Sequence, residues 1–111
     1  MAQLGKLPKL SKFVLDTLKT MGFRSITDRP YDFIGSVKGQ HDDYGMAALL
    51  TVIPLKLQDD TFVVSLEMNG EQMVKARLVT LEDIAVLVGY SGVMKEMLDL
   101  VDRKENDDDK N

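Results

Sequence analysis

A chain of 111 residues, 44% hydrophobic and 29% charged, has the make-up of one ordinary globular domain large enough to fold on a single core. It contains no cysteine, which excludes disulfides, thiolate metal sites and cysteine nucleophiles. Net charge is −4, yet residues 1–41 hold seven basic and three acidic side chains, whereas residues 42–111 hold seven and fifteen, so a basic amino-terminal part precedes an acidic remainder.

The opening MAQLGKLPKLSKF interleaves lysines with leucines and holds no unbroken apolar run, so it does not read as a secretory signal. The longest apolar run, MAALL at 46–50, is too short to span a bilayer. A cytoplasmic protein with no membrane partner is the expectation.

The first predicted element is an amphipathic helix from about Pro8 to Met21. Pro8 suits a first helical turn and Gly22 the left-handed residue just past an end. Leu10, Phe13, Val14, Leu18 and Met21 follow helical spacing and predict the buried stripe. Lys9, Lys12, Asp16 and Lys19 fall opposite, where Asp16 can pair with its lysine neighbours.

After Pro30 the period becomes two. Tyr31–Lys38 predicts a strand, with Phe33 and Val37 on one side. Met46–Ile53 predicts a second, apolar on both faces apart from Thr51, and Pro54 should end or bulge its pairing. Thr61–Met68 alternates cleanly, and Asn69-Gly70 signals a hairpin back along about Gln72–Val79. A two-residue loop would oppose Val64 to Lys75 and Phe62 to Arg77. A three-residue loop, Met68-Asn69-Gly70, opposes Val64 to Val74 and Phe62 to Ala76, and is preferred because it keeps apolar residues together.

Thr80-Leu81-Glu82-Asp83 resembles a capping box, with Ile84, Leu87 and Val88 as the apolar face of the helix that follows. The stretch GYSG at 89–92 predicts an interruption, with Ser91 as a cap for a second helix striped by Val93, Met94, Met97, Leu98 and Val101. The closing RKENDDDKN has no apolar residue, so residues 104–111 are expected to form a disordered acidic tail behind a single domain at 1–103. The expected fold is α+β and two-layered: an antiparallel four-stranded meander, an N-terminal helix and one or two C-terminal helices, in the order α-β-β-β-β-α-α.

Three stretches could carry chemistry. GQHDDYG at 39–45 holds the sole histidine, but a His-Asp metal hydrolase needs further histidines presented from helices, and a zinc or iron site needs more ligands than a loop tip offers. Its glycines and aspartates predict a polar turn. GYSGV at 89–93 lacks the final glycine of a nucleophile elbow, and His41 precedes the serine where that arrangement needs a histidine after it. The carboxylate pairs Asp42-Asp43, Asp59-Asp60 and Glu82-Asp83 have no partner base in the sequence pattern. No catalytic residue, metal site or cofactor site is therefore assigned, and an enzyme is not expected.

Two surfaces are candidates for binding. Lys6, Lys9, Lys12, Lys19, Arg24 and Arg29 form a basic set that suits phosphates or a protein partner, although the chain has no tryptophan to build a base-stacking platform. Ala47, Leu49, Ile53 and Val63 fall on the strand face that helices gathered on one side would leave bare, and predict self-association. The expected function is a non-enzymatic protein-binding module acting as a homodimer. Nucleic-acid binding by the basic set, with the acidic tail competing for it, is the alternative.

Overall fold

The computed structural model describes residues 8–41, 45–55 and 61–109, with side chains described as far as Val101. It is α+β. A helix, α1 (Lys12–Thr20), precedes five strands, β1 (Phe23–Ile26), β2 (Arg29–Val37), β3 (Met46–Pro54), β4 (Phe62–Met68) and β5 (Glu71–Val79), and a single helix, α2 (Leu81–Asp109), follows them. The strands form one antiparallel sheet in sequence order, β1-β2-β3-β4-β5.

Among the described residues the sheet therefore has five strands, one more than the four-stranded meander expected from the sequence. β1 is only four residues long, and its partner Arg29 lies across a tight turn at Thr27-Asp28, with Asp28 at φ 67°. Aspartate tolerates that left-handed geometry because its short side chain bonds locally. Four residues are too few for alternation to announce a strand.

The hairpin loop also differs. Met68 pairs with Glu71, so Asn69 and Gly70 alone make the turn, both at positive φ (52° and 85°), the geometry that fits strand twist. The clash of apolar with charged residues is avoided by a register shift between Leu66 and Glu67. Beyond it Leu66 faces Val74 and Val64 faces Ala76, and a second shift brings Phe62 to Val79. Bulges in β5, and not a longer loop, restore the apolar face.

Alternation then does the rest. Met46, Ala48, Leu50 and Val52 on β3, and Phe62, Val64, Leu66 and Met68 on β4, are buried on one face. They join Phe23, Phe33 and Val37, and the layer is closed by Val14 and Leu18 of α1 and Ile84 of α2. Both helices thus lie on the same face.

α1 begins later than Pro8 because Ser11 is its cap, with its Oγ accepting from the Val14 N–H at 3.2 Å. Pro8 instead lends its carbonyl to the Tyr31 hydroxyl. Phe13, predicted to be buried, is exposed on the flank of α1, and Leu15 packs against the core in its stead.

GYSG does not break α2. Gly89 faces open space, whereas a Cβ on Gly92 would come within 2.4 Å of the Lys38 carbonyl oxygen. Ser91 is buried in mid-helix and caps nothing. The glycine at 92 lets the helix lie against the end of β2; close approach, not termination, is its role. α2 continues past Arg103 to Asp109. Its 29 residues extend roughly 43 Å, against about 30 Å for a nine-residue strand, so it overhangs the sheet. Among the described residues no helix is long and apolar enough to cross a membrane.

These two glycines should respond oppositely to one substitution. Gly89→Ala should stabilise the fold by roughly 0.5–1 kcal/mol, the helix-propensity gain. Gly92→Ala should cost about 1–3 kcal/mol, because helix and strand must separate. Urea unfolding of both variants checks this, and equal signs would contradict the docking described.

Candidate functional site

The one histidine lies where the β2–β3 connection meets α2. The Glu96 carboxylate accepts from the Gln40 N–H (3.1 Å) and from the His41 N–H (2.8 and 3.1 Å to its two oxygens). A Cβ on Gly39 would fall 2.3 Å from the same carboxylate, so the loop can close over Glu96 only as glycine there. It is the backbone of His41 that is engaged; the residue itself is exposed. Asp42 and Asp43 lie outside the described residues, and so does the pair Asp59-Asp60. Among the described residues, no three His, Asp or Glu side chains are grouped so that they could hold a metal ion.

Lys95, one residue before, is fixed on the other side. Its Nζ lies 3.2 Å from both Glu71, at the β4–β5 turn, and Asp99 one helical turn on. The hydrogen bond to Asp99 raises its pKa above the ordinary 10.5; burial opposes this, and Glu71 adds to it. Stability from this raised pKa is complete at neutral pH and is lost as pH rises through the folded value. Lys95 and Glu96 are buried polar residues whose partners are structural: they staple α2 to two hairpin ends at one edge of the fold. Sequence reading passed over both, since nothing local marks a lysine and a glutamate between apolar helix positions.

The face of the sheet away from the helices is the second candidate surface. Ala47, Leu49, Thr51 and Ile53 alternate with the buried residues of β3. Leu49 is flanked by Ile34 and Glu67, Thr51 by Asp32 and Ser65, and Ile53 by Val63. Ala47, Leu49, Ile53 and Val63 are thus brought together on one face, and Ile34, which the sequence reading left out, joins them at 53% exposure. Its own alternation against Phe33 was the signal. A polar row crosses the middle: Thr51 donates to Asp32 at 2.8 Å, and the Gln72 amide donates to Ser65 at 3.1 Å. The face is two apolar patches separated by satisfied polar groups.

The basic set is divided. Lys9, Lys12 and Lys19 are exposed on or just before α1, on the helical side, with the exposed Asp16 among them. Arg24 pairs with Ile34 on the opposite, open face. Arg29 lies 3.8 Å from Asp32. Lys6 is outside the described residues.

One further concavity, of about 620 Å³, separates α1 from the start of α2. Phe13, Val14 and Met21 form one wall, Leu81 and Ala85 the other, and Phe62 lines it from the sheet.

Comparison of the chain with protein-family models, with curated proteins and with solved structures finds no match.

Replacing Glu96 by alanine removes charge-assisted bonds worth roughly 1–3 kcal/mol. Amide exchange at Gln40 and His41 should accelerate selectively, while β3 and β4 stay protected. Uniform acceleration across the sheet would contradict a local staple.

Proposed function

We propose that this protein is a non-enzymatic protein-binding module, acting as a homodimer and engaging its partner through the open face of the sheet. The carrying observation is the composition of that face. Ile34, Ala47 and Leu49 form one apolar patch and Ile53 and Val63 another, with Asp32, Thr51, Ser65 and Gln72 between them. A surface of mixed apolar and hydrogen-bonding groups, no more apolar than ordinary exposed surface, is what exchangeable protein interfaces present.

The sheet edges suit this role less. β1 offers four residues, and β5 carries two register shifts along with Glu71, Lys75 and Arg77. Short, bulged and charged edges resist strand addition. Docking of a partner protein flat against the open face is the geometry left.

Nucleic-acid binding is the weaker reading. Phosphate recognition draws on cations clustered on one face, and here the α1 lysines and Arg24 lie on opposite sides of the molecule.

The discriminating experiment is affinity capture from nuclease-treated extract with the natural chain and with Leu49→Asp. Leu49 lies on the helix-free face, so the variant should keep its far-ultraviolet spectrum and unfold at a similar temperature. Proteins held by the natural chain should be lost from the variant. Undiminished capture would remove the sheet face from the account, and capture abolished by nuclease alone would favour nucleic acid.

A further inference from the structure

α2 carries apolar side chains on two sides. Leu81, Ile84 and Val88 pack toward the sheet. On the outward side Val86 (70%), Tyr90 (62%), Met97 (56%) and Val101 (53%) are exposed, and Val93 and Met94 half-buried. Spacings of three and four keep these six residues on one helical stripe. The roll of the helix is set elsewhere on it, by Lys95 bonded to Glu71 and by Glu96 bonded to the 40–41 backbone.

The stripe is symmetrical about its own middle. Measured from a point between Val93 and Met94, Val86 mirrors Val101 and Tyr90 mirrors Met97. A second α2 laid antiparallel on the first therefore matches apolar to apolar at every position, Val93 meeting Met94 at the centre. Charge agrees with that direction. The first turn of α2 is acidic, with Glu82 and Asp83 exposed, and a parallel pair would set each acidic first turn against its own copy.

We propose that the partner for this face is a second copy of the chain, its α2 antiparallel to the first about a twofold axis at Val93–Met94. This rests on the homodimer reading above and names its seam. Contact along the whole stripe requires the shallow crossing, near 20°, of bundle helices. Both open sheet faces then point away from the seam and remain free for a further protein.

Because the chain has no cysteine, single cysteines report the arrangement directly. Val86→Cys and Val101→Cys, both at exposed positions, are made on differently tagged chains, and each is oxidised alone and after mixing and subunit exchange. The antiparallel seam predicts a cross-linked heterodimer in the mixture and little linkage in either variant alone, with the result unchanged when Leu49→Asp is added to both. Self-linkage of Val86→Cys alone would overturn the antiparallel direction. A dimer by light scattering that forms no mixed cross-link would overturn the α2 seam while leaving the homodimer reading standing. A monomer by light scattering before oxidation would overturn both.

Discussion

The attachment of α2 to the end of the sheet is the contact on which the rest depends. Three consecutive contacts set it: Gly92 against the Lys38 carbonyl, Lys95 to Glu71, and Glu96 to the 40–41 backbone. Together they fix the path of the helix and its roll. Fixing the path holds α2 on the side of the sheet that α1 also covers, and the other face is left without a helix. Fixing the roll turns Val86, Tyr90, Met97 and Val101 outward. The buried charges are affordable because they are paired; an unpaired lysine or glutamate there would cost several kcal/mol on the order usual for buried ions.

The same contacts give the histidine-bearing loop a structural role. GQHDDYG has the residue types of a metal or hydrolase site, but its described part is held by main-chain N–H groups donating to one carboxylate. That carboxylate is Glu96, far along the chain, and no local pattern predicts the pairing. Glycine at 39 and at 92 serves the same end, allowing loop and strand to come close to the helix.

Much of the core was legible in the sequence, because strict alternation in β3 and β4 dictates which residues are buried once one face is covered. The bare face was legible for the same reason, in Ala47, Leu49, Ile53 and Val63. What escaped reading has identifiable physics. β1 was too short to show a period. The Asn69-Gly70 turn kept its two residues because bulges in β5, invisible to a pairing rule that assumes regular strands, corrected the facing. Continuity of α2 was hidden because glycine is a weak helix former locally, whereas Gly92 is there for its close approach to the Lys38 carbonyl. Phe13 was assigned to the core by spacing, whereas the gap between α1 and α2 leaves it on a rim.

A sheet face without a helix and an exposed helix stripe lie on opposite sides of one small domain, and the proposal gives each its own partner. The stripe is the more apolar and self-complementary, which suits a lasting contact between identical chains. The sheet face, crossed by a polar row, suits a partner that binds and leaves. Light scattering of the natural chain at micromolar concentration tests the shared premise most directly. A homodimer gives a mass near twice the 12.4 kDa of one chain, and a mass near 12.4 kDa would rule it out.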